Sequence, residues 1–480
     1  MWLSTSKYGI GLTADSIHYI SAANNLADGN GLVEYDGIPQ VSWPPLYACL
    51  LALLSLASIP IPSGARVIHA ILFAVILFCS GEIFRRHCRS RWLVLFAIFM
   101  LSVSYSLVSI SICMWSEPLF IVLLLLTVLL IPSCFRRQSI RRLLAVSLLT
   151  ALFCLQRYIG VTLALTISAI ILAYWPESSR RKRVVLSVGF LIVSCFPLVL
   201  YLIRNYMLTS TLTGYRGSSP NTLYDNIHYL LDGISIWFIP VEIPLWIREV
   251  LLLLFGGAAG IHILYKIWQG RRSPTRDVQV PVMALFTWIY ILTLVALSTT
   301  VAFQRIANRF LLPIYVFVVF LFVKSADDLL GHYSHVRLQK TVVSIFLVAL
   351  SFCWMGYMIP HIHGKVVHHR KCGTGEYNIE RWKESDMIRV IQREPIQGKI
   401  FSNAADIMYI FTDRPATMGP FRAETIEEFR EKLSKDGPNY LVWFDACRKD
   451  YIYNLDEIQS IFALELIREC QDGAIYRIRD

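Results

Sequence analysis

Of the chain's 480 residues, 55% are hydrophobic and only 16% charged, and the mean hydropathy is +0.52. Soluble domains carry about a quarter charged residues, so a soluble globular enzyme is excluded. The formal charge of +11 sits in short loops between apolar runs, not on a face interleaved with aromatics, which excludes a nucleic-acid binder; a β-barrel is excluded because the runs do not alternate apolar and polar.

Residues 1–64 read as an external N-terminal loop with juxtamembrane helices. Thr13–Tyr19 is TADSIHY, followed by an Ala/Asn-rich helical run, then Gly29-Asn30-Gly31-Leu32 and Trp43-Pro44-Pro45-Leu46-Tyr47. A carboxylate kept beside a bilayer is costly unless paired, so Asp15 is a functional candidate by default. Leu46–Ile61 is apolar but only about 16 residues long, short for a span. It reads as a juxtamembrane or re-entrant helix opened by the Pro-Pro pair, since proline is tolerated in a helix's first turn.

Residues 65–360 read as a transmembrane body. Apolar segments are predicted at 65–84, 92–112, 117–133, 143–156, 159–175, 184–203, 244–266, 280–302, 309–325 and 339–359, about ten transmembrane helices. Between them lie basic clusters: Arg85, Arg86, Arg89 and Arg91; Arg136, Arg137, Arg141 and Arg142; Arg180, Arg181, Lys182 and Arg183; Arg271, Arg272 and Arg276. Placed in the cytoplasm, these clusters let the helices alternate without conflict. The large loop 204–243, the tail and everything before residue 65 then lie outside. An external start with no preceding apolar span is best explained by a chain that begins upstream, with a first helix before Met1.

Residues 361–480 change character. From Lys371 onward there are 16 Lys+Arg against 20 Asp+Glu, a net acidic tail. A helix is expected near Ile379–Arg393, a strand at Lys399–Asn403, helices at Ala405–Phe411 and Thr425–Ser434, and strands at Tyr440–Phe444, Ala463–Arg468 and Ala474–Arg479. That is a small extracytoplasmic α/β domain with a mostly parallel sheet. It carries no GxGxxG and no P-loop, so no nucleotide site is expected there. Most of the eleven cysteines lie singly in apolar runs and read as small core hydrophobes. Cys447 and Cys470 are the one pair an oxidising compartment could join. His361, His363, His368, His369 and Cys372 lack a recognised metal spacing.

Taken in order, Asp15-Ser16, Tyr19, Ala23-Asn24-Asn25-Leu26, Gly29-Asn30-Gly31-Leu32 and Trp43-Pro44-Pro45-Leu46-Tyr47 resemble the first external loop of C-type integral membrane glycosyltransferases. These are enzymes of the protein O-mannosyltransferase, aminoarabinose-transferase and dolichyl-phosphate-mannose-protein mannosyltransferase type. Ser116-Glu117-Pro118-Leu119-Phe120 is similar to the family's Ser-Glu-x-Leu-Phe helix start. Gln156-Arg157-Tyr158-Ile159-Gly160 looks like its Arg-rich break between helices, and Arg204-Asn205 like the opening of its mid-chain loop. Asn308–Pro313 looks like its Arg-Tyr-Leu-Leu-Pro, and Ile400-Phe401-Ser402-Asn403 like a recurrent tail motif.

The resemblance implies an inverting transfer, on the external membrane face, of a sugar from a polyprenyl-phosphate donor, with an acid of the first loop as general base or metal holder. The acceptor is a lipid, a glycan or a protein, and the location is the plasma (inner) membrane. Where many relatives have Asp-Glu, this chain has Asp15-Ser16. A divalent metal is therefore an option and not an expectation, and no cofactor is assigned.

The residues support the same chemistry independently. Inverting transfer needs one base, and a carboxylate near the acceptor suffices. The leaving group is already a stable anion that needs positive charge, which arginine supplies as a bidentate fork. Asp15 is the catalytic candidate. Arg157, Arg204 and Arg309, with Glu117, Tyr158 and Tyr215, are the substrate-binding candidates; Arg216 and Arg305 are weaker ones. Structural readings stand beside each of these. Asp15 suits an N-cap, and Glu117 suits the dipole at a helix start. Arg157 suits a buried ion pair, and Arg204 and Arg309 suit interfacial snorkelling. Tyr215, Tyr224 and Trp237 suit either a sugar platform or an aromatic belt. Asp28, Glu34 and Asp36, in a Gly-rich turn, read as solvated. The alternative function is a transporter or flippase of lipid-linked saccharides, which would show repeats and midplane breaks; no repeat is visible.

Overall fold

The computed structural model describes residues 1–479 apart from 177–178, 271–276, 303–304, 333–336, 395, 423, 434–436 and 448. The basic cluster Arg271, Arg272 and Arg276 and the expected helix end at Ser434 lie outside the described residues. The chain divides into two compact units. The first comprises Met1–Leu3, Val41–Tyr47 and Ala65–His368; the second comprises Ser4–Gln40, Ala48–Gly64 and His369–Asp480. The first 64 residues are thus shared between the two.

In chain order the helices are α1 (Ala14–Ala27), α2 (Leu46–Leu56), α3 (Ile61–His87), α4 (Arg91–Val103), α5 (Tyr105–Ile112), α6 (Glu117–Arg137) and α7 (Ile140–Gln156). Then follow α8 (Val161–Tyr174), α9 (Arg180–Thr209), α10 (Leu223–Ser235), α11 (Leu245–Gly270), α12 (Gln279–Thr300), α13 (Asn308–His332) and α14 (Arg337–Cys372). Among the described residues, α3, α6, α9, α11, α12, α13 and α14 are long and apolar enough to cross a membrane. The pair α4 and α5, bent by 46°, makes an eighth if taken as one span. The bend falls at Ser104, whose extended backbone ends one helix while its hydroxyl caps the next. Each of the ten expected crossings coincides with a helix or, for this pair, two. However, α7 (17 residues) and α8 (14 residues) are shorter than a full span.

The basic residues punctuate the helices as the sequence suggests. Arg85 and Arg86 close α3, and Arg136 and Arg137 close α6. Arg91, Arg141 and Arg142, and Arg180 fall in the first turns of α4, α7 and α9. The core of this unit is apolar side chains of α3, α6, α7, α8, α12 and α13. An aromatic chain runs through it: Phe120 stacks on Phe153 at 3.8 Å, Phe153 meets Phe286 edge-on at 6.2 Å, and Phe286 meets Phe317 at 5.8 Å.

Helix α2 has 11 residues, about 16 Å at 1.5 Å per residue, against roughly 30 Å of hydrocarbon. A glycosylation or protease reporter at Ser63 should therefore read the same side of the membrane as one at Asn30; opposite sides would make this segment a true crossing.

In the second unit the tail folds as a small α/β region. A two-stranded ladder of β1 (Gly373–Thr374) and β2 (Asn378–Ile379) leads into α15 (Glu380–Lys383) and α16 (Asp386–Arg393). These are two helices where one was expected, because Ser385 restarts the chain as an N-cap. β3 (Lys399–Ser402), α17 (Ala405–Thr412), β4 (Thr417–Met418), α18 (Ile426–Lys432), β5 (Asn439–Phe444), α19 (Leu455–Ile461), β6 (Ala463–Cys470) and β7 (Gly473–Arg479) follow.

The five-stranded sheet has the order β4-β3-β5-β7-β6. It is mixed and not mostly parallel. β3 pairs in parallel with β4 and β5, while β7 runs antiparallel to both β5 and β6. The two-residue connection Gln471-Asp472 forces that hairpin, since parallel partners need a long crossover. Cys447 and Cys470 are both free thiols; the Cys447 thiol lies 3.4 Å from the Asn403 carbonyl.

Candidate functional site

In the helical unit, three of the expected residues meet. α6 begins at Glu117, with Pro118 in its first turn. α7 ends at Gln156, and Arg157 takes an extended backbone (φ −152°, ψ 140°) before a tight turn at Tyr158–Gly160 starts α8. The break depends on glycine: a Cβ at Gly160 would lie 2.6 Å from the Phe153 carbonyl oxygen. α13 begins at Asn308, which places Arg309 in its first turn. Asn308 is fixed at both ends of its amide, accepting from Trp237 Nε1 at 2.6 Å and donating to Ser106 Oγ at 2.6 Å.

These three helix ends bring Arg157 and Arg309 onto one carboxylate. Arg157 Nη1 donates to Glu117 Oε1 at 2.6 Å, and Arg309 Nε donates to the same oxygen. Arg157 Nη1 also reaches Ser116 Oγ at 3.2 Å, and the Arg309 guanidinium lies 4.1 Å from the centre of the Trp115 ring. The Glu117 side chain is 1% exposed; those of Arg157 and Arg309 are 18% and 17% exposed. Glu117 Oε2 is buried without a hydrogen-bond partner. Of these three side chains, only the two arginines are partly exposed. Glu117 is more than the dipole partner its position suggested; Arg157 makes the buried ion pair that was one of its two readings, and Arg309, read as a snorkelling candidate, shares the same carboxylate.

Arg204 and Tyr158 serve a neighbouring network in the same unit. Arg204 Nη1 donates to Asn205 Oδ1 at 3.0 Å, and Asn205 Nδ2 donates to the Tyr158 hydroxyl at 3.2 Å. Tyr158 in turn donates to the Val41 carbonyl at 2.5 Å, and Tyr201 donates to the Trp43 carbonyl at 3.0 Å. The segment preceding the Pro-Pro pair is thus pinned by hydroxyls of the bundle. Tyr47 is pinned further on, 2.7 Å from His69 Nε2, while His69 Nδ1 faces the Ser111 carbonyl. Tyr215 is 91% exposed and Tyr224 71%. Trp237, read as a sugar platform or a belt residue, is instead a core side chain at 2% exposure, packed on Tyr315. Arg305 lies 3.6 Å from Asp232, whose closer partner is Arg248 at 2.8 Å.

In the second unit, α1 is capped by Thr13 and Ser16: the Thr13 amide donates to Ser16 Oγ at 3.1 Å. Asp15 is the second residue of the helix, so the capping role expected for it belongs to its neighbours. The chain before α1 is tied to the tail. The amides of Glu376 and Tyr377 donate to the Leu12 carbonyl at 2.8 and 3.0 Å, and Asn378 Nδ2 donates to the Ile10 carbonyl at 2.8 Å. Gly375 is needed at this crossing, where φ is +77° and a Cβ would collide with the Leu12 backbone.

The same unit holds acids and aromatics that sequence reasoning passed over. Asp406, 2% exposed, accepts from the Tyr377 hydroxyl and lies 3.5 Å from Lys449 Nζ. Burial, then the charge of Asp406, pushes the Tyr377 hydroxyl far above its usual range, so it remains a proton donor. Burial, then Asp15 and Asp406, raises the Glu376 carboxyl. Burial lowers Lys449, but Asp406, Tyr451 and Cys447 together more than offset it, and its pKa rises. The available signal for Asp406 was an acid in the first turn of an apolar helix. Glu34 is not solvated as expected: its side chain is 12% exposed and 2.6 Å from His18 Nδ1. Burial opposes charge on His18, yet Glu34, then Asp406 and Asp15, hold its pKa above the ordinary value. Among the described residues no group of three His, Cys, Asp or Glu is arranged to hold a metal ion.

No protein-family model matches the chain, and no curated protein matches it in sequence. Solved structures do match. ArnT from Cupriavidus metallidurans superposes with a TM-score of 0.60 in the apo state and 0.61 when bound to undecaprenyl phosphate, at 10% identity. The match covers 99% of this chain and 95% of that one. The oligosaccharyltransferase AglB from Archaeoglobus fulgidus, solved with an inhibitory peptide and a dolichol-phosphate, gives 0.52 at 13% identity over 91% of this chain and 66% of that one. The chain has the fold of C-type membrane glycosyltransferases.

Proposed function

We propose that this chain, with that fold as its frame, is an inverting glycosyltransferase of the plasma membrane. It would move a sugar from a polyprenyl-phosphate-linked donor to a lipid, glycan or protein acceptor on the external face, with α7 and α8 completing ten crossings. The observation that carries the reading is the Glu117 group: two partly exposed guanidiniums gathered on one buried carboxylate at helix ends. Two structural neighbours were solved with an undecaprenyl phosphate or a dolichol-phosphate, the kind of headgroup such a site suits.

In this reading an acceptor X–H attacks the anomeric carbon as its bond to the phosphate oxygen breaks. The acceptor's proton passes to the Asp15 carboxylate, and the polyprenyl chain leaves as a phosphate monoester. Arg157, Arg204 and Arg309 contact the phosphate, where charge builds on the leaving oxygen. Tyr158 and Tyr215 supply hydroxyl and ring contacts. A flippase reading fits less well, because the charged residues gather at helix ends and not at midplane breaks.

Purified protein incubated with a polyprenyl-phosphate sugar and a candidate acceptor pool should release polyprenyl phosphate; transport without cleavage would favour the flippase. Cysteine labelling in intact cells should modify a probe in the 361–480 tail and spare one at Arg181. Reversed labelling would place Asp15 on the cytoplasmic side and overturn the external-face assignment.

A further inference from the structure

We infer that Asn378 is a positioning residue for Asp15: the tail sets the direction of the first turn of α1 through the peptide plane between Leu12 and Thr13. The inference rests on the general-base reading of Asp15. The path from tail to carboxylate is short and lies within the second unit. The Leu12 carbonyl accepts two amides, those of Glu376 at 2.8 Å and Tyr377 at 3.0 Å. Across the same peptide bond, the Thr13 amide donates to Ser16 Oγ at 3.1 Å. A peptide unit is planar and resists twisting, so a carbonyl fixed by the tail also fixes the amide that closes the helix cap. Asp15 stands between Ala14 and Ser16 in the turn held that way.

The tail meets this segment in an isolated parallel bridge, Leu12 with Gly375, and not in a ladder. A single crossing leaves a strap free to pivot, and here a side chain prevents it. Asn378 Nδ2 donates to the Ile10 carbonyl at 2.8 Å, a second point of attachment two residues before Leu12. Asn378 is itself buried and held by the β1–β2 ladder, where it pairs with Thr374. From the other side, Trp382 Nε1 donates to the Glu376 carbonyl at 3.0 Å. The gripped segment is packed as well, since Ile10 and Leu12 are both buried. A carboxylate that takes a proton during attack must be aligned with it, and a displacement of about 1 Å can cost about a hundredfold in rate.

The test measures release of polyprenyl phosphate from a polyprenyl-phosphate sugar by the purified full-length protein. Turnover, donor KM and thermal stability are read for wild type, Asn378→Asp, Asp15→Asn and the double variant. Aspartate has the size of asparagine, but as a carboxylate it cannot donate to the Ile10 carbonyl. Positioning predicts that Asn378→Asp lowers kcat about ten- to a hundredfold with donor KM unchanged. Because that loss acts through Asp15, it should shrink to less than about twofold in the Asp15→Asn background, as for two residues on one path. A role in stability alone would lower kcat alike in both backgrounds and overturn the proposal. So would a raised KM with kcat unchanged, which marks lost binding and not lost alignment.

Ser16→Ala breaks the same path from the helix side without touching the tail, and it decides the matter if Asn378→Asp does not fold. It should lower kcat in the same way, again with KM unchanged and again only while Asp15 is present; an unaltered kcat would overturn the inference. The two levels separate cleanly. If Asp15→Asn keeps near wild-type turnover, the general-base reading itself fails. If Asp15→Asn loses turnover while Asn378→Asp and Ser16→Ala do not, only the positioning role fails.

Discussion

Asp15→Asn is expected to lower turnover of a polyprenyl-phosphate sugar about a hundred- to ten-thousandfold, the usual contribution of a general base, with normal expression and donor binding. Asparagine keeps the size and much of the hydrogen bonding of aspartate but cannot take a proton. The structural objection to this test was that Asp15 caps a helix. The cap is Thr13, closed by Ser16, and Asp15 is the second residue of the helix, in its first turn. The charge–dipole contribution that asparagine gives up is typically 0.3–1 kcal/mol. Turnover and thermal stability measured on the same preparation separate the two effects. Near wild-type turnover in Asp15→Asn would remove it as the base. Glu376, whose amide is bonded to Leu12, would then be the next acid to examine, because Glu117 is committed to two arginines.

The second large effect concerns stability. Replacing both Arg157 and Arg309 by methionine should destabilise the protein by about 3–5 kcal/mol, because it strands a buried carboxylate without a cation. Adding Glu117→Leu to that pair should restore most of the loss, since an apolar replacement of a whole buried ionic group is often neutral or better. The triple variant should nonetheless show no phosphate binding. Denaturation in a mild detergent, followed by tryptophan fluorescence, checks the order of stabilities. If the double variant is as stable as wild type, the carboxylate is not held by these two partners.

Much of this was legible in the sequence, for identifiable reasons. The helices of the first unit announce themselves as apolar runs ended by arginines, and Gln156–Gly160 reads as a break because a glycine and an arginine interrupt two such runs. The convergence of Glu117, Arg157 and Arg309 was not legible. Each lies at a helix end, but which ends meet is decided by packing between α6, α7 and α13. Trp237 was misread because burial of an aromatic in a long loop depends on a distant acceptor, Asn308. Glu34 was misread because its partner His18 lies across a turn. The mixed sheet was missed because the four expected strands carry no mark of their direction; the short link at Gln471-Asp472 was the signal that the last two form a hairpin. Asp406, Tyr377 and Lys449 come from separate elements of the tail, and nothing in their spacing joins them.

The hydrogen bond from Asn378 to the Ile10 carbonyl joins residues 368 positions apart. A ribosome adding roughly 5–20 residues per second needs on the order of 20–70 s to make the chain between them. Throughout that interval the segment leading into α1 lacks this partner, and closing so long a loop costs entropy before any contact is gained. The helix bearing Asp15 therefore receives its tether only when synthesis is nearly finished. A protein cut short before residue 375 could insert every apolar helix and still present its proposed base on an unanchored segment. Quality control that trims or retains such fragments would be acting on molecules that look assembled from the lipid side and are unfinished at the one place where the chemistry is proposed to begin.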